Sequence, residues 1–518
     1  MNLRVGMIGI SPGWEELLCQ TGVPVLHPVP PDSPPGTFSA LVVSRQLNGD
    51  ELAFVREYLR SGGAILGSSV YLEGLLKPGG EPLRLSYLAP EAGSRLRGVS
   101  LLDIEQTGSI PREANCLRTS ENVYAVFAGE LLGGLAVVTP FDPGEAMEDF
   151  RAVERYFYAR QERLPSERVS RVGKNEVLHF VRGALEYLHH GRGLPFASLS
   201  PFPANAVNVF ANRIDTDNGT PEEIDELCRI SSESEAPFTW FVDAGSHRSW
   251  LGRFAEMEGQ EIGLHCFDHR IYLDAAKDEE NIRKGLSAMN ESGLTPSSFA
   301  APFGFWSPDL GRAIDRAGFR YSSEFAWAYD TLPHYPVTRG GKYSTMQVPV
   351  HPIAIGSMRR SGFTPAQMSQ YFREVVDQKL FRREPLFFYH HPGHRQWDVV
   401  RNLCDHLRAS GARPVTLGEY AGWWSTRRAL RPSFRFEGDS VITSIEGGAP
   451  GAGAVDVSVC ISRRGGEEIL VPLLEGDSGK KRHGVTPYVS PLDITRIREF
   501  DLRGEIGRQF TRLQRRFP

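Results

Sequence analysis

The chain has 518 residues, a formal net charge of −5, and a composition that is 41% hydrophobic, 23% charged and 10% aromatic. At about 150 residues per domain this length fits three domains better than one, and the apolar content excludes a wholly disordered chain. Basic and acidic residues are mixed along most of the sequence, which argues against a dedicated nucleic-acid surface, and no run reaches the ~18 apolar residues of a membrane-spanning helix.

The opening MNLRVGMIGIS carries a short, Gly-broken apolar stretch that reads as a first strand rather than a leader, so a soluble, cytoplasmic protein is expected. The cysteines at 19, 116, 228, 266, 404 and 460 lack CxxC spacing and read as reduced thiols, leaving any metal to His and carboxylates. The strand-like LRVGMIGI, PVLHPV and ALVVS precede a helix from Asp50, with Leu52, Val55 and Leu59 at helical spacing and a stop at Gly62 and Gly63 before AILG. An α/β domain with a parallel sheet is expected over 1–145. The segment YLRSGGAILGSS resembles the glutamine amidotransferase-like, flavodoxin-type domains, in which a Gly-Gly pair precedes a strand ending at a nucleophilic cysteine. Ser69 stands there, and a serine without a base is a poor nucleophile, so the resemblance implies an accessory domain without glutaminase activity.

Residues 146–195 read as a helical linker, with Val153, Tyr156 and Phe157 and then Val177, Phe180, Val181, Leu185 and Leu188 at helical spacings. The Pro-rich LPFASLSPFPAN ends it and leads to a new strand near Val207, opening a domain over 196–425. From 426 to 518 the short alternating runs SFRFEG, SVITSIEG, VDVSVCISRR and EEILVPLLEG predict a small β-rich module, ending in an Arg-rich tail from Thr495 that reads as solvated or packed.

The chemistry gathers between 207 and 394. In VFANRIDTDNGTPEEIDEL, strand alternation puts Arg213, Asp215 and Asp217 on one face, and Thr220, Pro221 and Glu223 match a helix N-cap, a first-turn Pro and a capping-box partner. The acids sit at a strand-to-helix junction, a place for catalytic groups and equally for an acidic surface turn. FTWFVDAG reads as the next strand, and EIGLHCFDH ends in His265 and His269, one turn apart if helical. With Asp217 they form a two-His, one-carboxylate set suited to Zn²⁺, and also to Fe, Co or Ni, although paired histidines also occur as plain surface or core residues. FAAPFGFW is a Pro-Gly turn after a strand, Ser307 and Pro308 start a helix, and LFFYHHPGH is an aromatic strand ending in His390 and His391, with His394 beyond.

The order and spacing of these pieces resemble the polysaccharide deacetylase family, carbohydrate esterase family 4, over about 205–425, in a divergent RxDxD form. The resemblance implies a distorted (β/α) barrel with fewer than eight strands, Asp215 as catalytic base, Asp217, His265 and His269 as ligands of a divalent metal, and the Phe303 N–H in the Pro302–Gly304 turn as oxyanion donor. It makes His391 the general acid, with His390 as the alternative. Three positions depart from the family: Thr216 separates the acids, Ala300 replaces the motif Arg, and Glu324 in YSSEF is the nearest substitute for the Asp expected to orient the acid His. Arg213, on the face of Asp215, is available in place of the missing Arg. The implied reaction is hydrolysis of an N-acetyl group on a sugar, with Phe305, Trp306 and Trp397 as stacking candidates. The alternatives are an allantoinase-like C–N hydrolase acting on a small cyclic amide, and a degenerate barrel that binds metal and carbohydrate without turnover. A carbohydrate or small-amide substrate is thus the expected partner, with the oligomeric state open.

Overall fold

The computed structural model describes residues 1–482 apart from 31, 77–81, 92, 205, 447–455, 467 and 474–479, together with 496, 497, 502, 506 and 510. Most of the Arg-rich tail therefore lies outside the described residues. Among the described residues no helix is long and apolar enough to cross a membrane.

The N-terminal sheet has a parallel half, in spatial order Val25–Leu26, Val5–Ile8, Ala40–Val43, Ala64–Ser68 and Gly134–Thr139. Val5–Ile8, Ala40–Val43 and Ala64–Ser68 are buried at every residue, as expected of strands covered on both faces. The wholly parallel sheet expected from sequence is corrected in the other half, where Tyr124–Leu131, Cys116–Thr119, Leu83–Ala89 and Leu102–Gly108 continue it antiparallel. The reversal is local: Leu132 (φ 53°) and Gly133 (φ 88°) make a two-residue turn with both φ positive, the conformation that folds a strand back on its neighbour.

Within 146–195 the helical residues are Lys174–Gly191 and the last two of the helix Pro143–Met147. Ala152–Tyr156 and Ser166–Ser170 instead form an antiparallel hairpin, and a few apolar residues at helical spacing could not distinguish the two. The C-terminal strands are not a self-contained module either. Val457–Ser462 pairs antiparallel with Phe196–Pro203, the Leu3 N–H donates to the Phe434 carbonyl at 2.9 Å, and Leu3, Leu199, Phe434 and Val459 share one apolar core.

The central sheet is entirely parallel and curls around the site. Its strands are β1 (Val209–Asp215), β2 (Phe238–Asp243), β3 (Glu261–Cys266), β4 (Ser298–Phe299), β5 (Tyr321–Ser322), β6 (Met346–Gln347), β7 (Leu386–His390) and β8 (Arg413–Pro414). The spatial order is β6-β5-β4-β3-β2-β1-β7, with β8 paired to the start of β1. Eight strands correct the lower number expected, although four are only two residues long and ladder pairing does not close the sheet. Between edge strands β6 and β7 the His351 N–H donates to the Phe387 carbonyl at 2.8 Å. The helix after β1, Pro221–Glu233, starts with the predicted Thr220–Glu223 capping box. The N-terminal helix Pro12–Thr21 is tied to the segment around the curled sheet by the fully buried Glu16, which pairs with Arg428 (2.6 and 2.7 Å) and Lys342 (2.8 Å) and accepts the Tyr335 N–H at 3.1 Å.

Candidate metal centre and active site

Strand β1 delivers Arg213 and Asp215 to the inside of the curl, while Asn212 between Ala211 and Arg213 turns outward to Cys404 of the helix Trp397–Ala409. Arg213 is fully buried and donates from Nε and Nη2 to the two oxygens of Asp215, both at 2.6 Å. Its Nη1 donates to the carbonyl and hydroxyl of Ser323, and its charge lies 5.2 Å from the Phe241 ring centre and 5.5 Å from that of Tyr389. Burial opposes the guanidinium charge, but Asp215 outweighs it and holds the Arg213 pKa above its usual value. Both Asp215 oxygens keep free lone pairs after accepting a bidentate Arg, so the pair orients the carboxylate without exhausting it.

Asp217 lies just past β1 at φ 39°, a left-handed backbone uncommon for a non-glycine residue. Its Oδ1 is 3.2 Å from His265 Nε2 and 3.3 Å from His269 Nε2, and its Oδ2 is 3.4 Å from His391 Nε2. Burial works to raise the Asp217 pKa, yet the surrounding His391, His265 and His269 hold it well below the carboxylate range. His265 is the next-to-last residue of β3, and its Nδ1 donates to the Ala300 carbonyl at 2.7 Å. A carbonyl only accepts, so Nδ1 carries a hydrogen and Nε2 is the atom turned toward Asp217, the orientation typical of a metal-binding imidazole. His269 lies in the loop beyond β3, which corrects the helical picture of the pair, and its ring meets Phe303 edge-on at 4.8 Å.

Asp217 Oδ1 and His265 Nε2 are buried yet lack an aligned hydrogen bond. With His269 they offer one oxygen and two nitrogens within 4.8 Å of one another, a donor set that fits a divalent transition ion.

The two candidate acids separate by strand alternation. His390 packs on Phe372 of the helix Pro365–Arg382 at 5.7 Å, and burial pulls its pKa down to about 3. The extended His391 points the other way, onto Asp217. Beside it stands His394, ring centres 4.5 Å apart, which burial pulls to about 2.

Two other candidates are corrected. Glu324 does not orient His391, whose Nδ1 has no hydrogen-bond partner; its carboxylate instead accepts the Ala301 N–H at 3.0 Å and the Gln347 amide at 2.6 Å. Trp306 is buried against Trp327 (4.6 Å) and Tyr343 (5.2 Å), so its face is packed rather than offered to a ring from outside. Phe305 and Trp397 are half-buried against the barrel core. Phe303 sits in its Pro-Gly turn at φ 60°, ψ 17°.

Asp217 rests on a support that no motif in the sequence announces. Thr216 Oγ1 accepts the Asp243 N–H at 3.0 Å and meets His247 Nε2 at 2.9 Å, while Ser246 Oγ donates to the Asp217 carbonyl at 2.8 Å. The residue between the two acids thus anchors β1 to the end of β2. The available signal was Asp243 at the end of its own apolar strand.

Residues 214–322 match the family described as Polysaccharide deacetylase. A chitooligosaccharide deacetylase of Azorhizobium caulinodans is 27% identical over 121 residues, 22% of this chain and 56% of the relative, so the chain spans little more than half of that curated relative's length. Similar solved structures include the PuuE allantoinase (16% identity, 43% of this chain and 93% of that one, TM-score 0.38). Another is a CE4 family pseudoenzyme from Bacillus anthracis (15% identity, 43% and 70%, TM-score 0.31).

Proposed function

We propose that the protein is a metal-dependent hydrolase that removes N-acetyl groups from a sugar or glycan precursor. The observation that carries this reading is the convergence of His265 Nε2 and His269 Nε2 on Asp217 Oδ1, at 3.2 and 3.3 Å, with His391 on the other oxygen of the same carboxylate. Asp217, His265 and His269 would hold a divalent cation, zinc first among the candidates. When bound, such an ion supplies Lewis acidity toward the acetyl carbonyl and acidifies water.

Asp215, oriented by Arg213, takes the proton of the attacking water as its oxygen adds to the acetyl carbonyl carbon. The Phe303 N–H donates to the oxygen that becomes negative. His391 then gives a proton to the sugar nitrogen as the C–N bond breaks, leaving acetate and a free amine. Acetate release from a panel of N-acetylated sugars, measured before and after chelation and after metal is restored, tests the reading. Release that ignores chelation, or no release from any substrate with metal bound, defeats it.

A further inference from the structure

We propose that Glu324 is a positioning residue for the oxyanion side of this reaction, holding the Pro302–Gly304 turn in the conformation that aims the Phe303 N–H. The inference rests on the reading above for the role of that N–H, whereas the hold on the turn is a matter of geometry.

Phe303 adopts φ 60°, ψ 17°. A bulky aromatic residue is rare in that region and persists there only when its surroundings over-determine it. Three consecutive residues after β5 do so. Glu324, fully buried, accepts the Ala301 N–H on Oε1 at 3.0 Å, just ahead of the turn. The Phe325 ring fills the space beside Gly304, where an added Cβ would lie 2.3 Å from it. The Ala326 N–H donates to the Gly304 carbonyl at 2.9 Å.

The chemistry explains why a carboxylate stands at 324. Its second oxygen, Oε2, takes a hydrogen from Gln347 Nε2 at 2.6 Å, and Gln347 Oε1 accepts the Glu324 N–H at 3.1 Å. One donor reaches each oxygen, and only a side chain with two acceptor oxygens satisfies both in this way; an amide has one. Leaving a buried donor unmatched is costly, so the pair locks the side chain and, through it, the turn. Ser323, the preceding residue, accepts from Arg213 Nη1 on its carbonyl and hydroxyl. The partner of the base and the oxyanion turn therefore hang on one short stretch.

The test is made in the full-length chain. Glu324→Gln leaves one acceptor facing two donors, whereas the exchanged pair Glu324→Gln/Gln347→Glu restores two acceptors opposite an amide. In Glu324→Gln, kcat for acetate release should fall about 10- to 100-fold, the penalty of a misaimed donor, with KM and metal content within about twofold of wild type. The exchanged pair should recover most of the rate. Amide hydrogen exchange gives a readout that needs no turnover: peptides covering 301–304 should exchange at least about tenfold faster in Glu324→Gln and return toward wild type in the exchanged pair.

Unchanged exchange at 301–304 overturns the proposal, as does exchange raised equally across the barrel in both variants, which would make Glu324 general core packing. If Glu324→Gln does not fold, Gln347→Met, which removes the donor to Oε2 together with the acceptor of the Glu324 N–H and the bond to Ser322 Oγ, is measured in the same way. If the wild type releases no acetate from any sugar, the deacetylase reading fails, and faster exchange confined to 301–304 still upholds the hold on the turn.

Discussion

The parallel half of the N-terminal sheet and the wholly parallel central sheet both end in polar residues, with different fates for Ser69, Ser11 and Asp142 in the first and for Asp217 and His265 in the second. At the end of the N-terminal sheet, Ser69 is buried with its hydroxyl donated to the Ser109 carbonyl at 2.5 Å. Nearby, Ser11 caps the helix Pro12–Thr21, and Asp142 caps Pro143–Met147 by accepting from Gly144 and Glu145. At the end of β1 and β3, Asp217 Oδ1 and His265 Nε2 are buried beside one another without an aligned partner. Polar groups that satisfy one another hold a fold together. Groups held buried and unmatched need something from outside the chain, and so mark where chemistry is to be sought.

The comparison breaks most sharply at the metal. His265→Ala/His269→Ala should lose nearly all bound ion and activity while far-ultraviolet circular dichroism stays close to wild type, because a barrel core does not depend on the ion. Full occupancy by elemental analysis would refute the ligand assignment.

A smaller effect separates the acid that ends β1 from the one just past it. Asp215→Asn should lower kcat at least about 100-fold with metal retained, the worth of a positioned general base, whereas Asp217→Asn should lose metal and rate together. Because Arg213 would then be buried opposite a neutral amide, Asp215→Asn should also unfold at lower denaturant by roughly 3 kcal/mol, the lower end of the cost of breaking a buried pair.

Charges that are fully matched should show in stability instead. Glu384 is buried, and although burial alone would raise its pKa, Arg382, His179 and Lys379 hold it well below the carboxylate range. Its folded pKa being depressed, the stability it contributes is complete above the unfolded-state value of about 4.3 and is lost as pH falls below it. Denaturant midpoints should therefore drop from about pH 5 downward, and Glu384→Gln should flatten that slope by up to about one proton while the rate near neutral pH changes little. The smallest effect is expected at Ser69: Ser69→Ala should cost about 1 kcal/mol for one lost hydrogen bond and leave acetate release unchanged. A change in turnover there would show that the N-terminal sheet end takes part in the chemistry.

What the sequence revealed followed how local each feature was. Asp215, Asp217, His265 and His269 lie on or just past strands whose apolar runs announce them, and the Thr220–Glu223 cap needed only its four residues. Arg213 was legible as a partner for Asp215 because two-residue spacing alone places both on one face. Glu324 was misassigned because its partner, the Ala301 N–H, lies 23 residues away on a neighbouring turn, and no spacing rule reports that contact. Trp306 was misread because aromatic residues beside a turn look the same in sequence whether they stack on ligand or on Trp327. The hairpin of Ala152–Tyr156 and Ser166–Ser170 failed for a third reason: pairing across a loop decided between helix and strand where the local apolar pattern did not.

The pairing of Phe196–Pro203 with Val457–Ser462 has a consequence for how the molecule comes into being. Pro203 is translated about 250 residues before its neighbour Val457, at roughly 5 to 20 residues per second, so the strand waits some tens of seconds on the ribosome with a bare edge. Its alternating prolines and serines, in FASLSPFP, blunt that edge against other nascent chains during the wait. A strand made late in the chain thus closes the seam that the middle of the chain has held open.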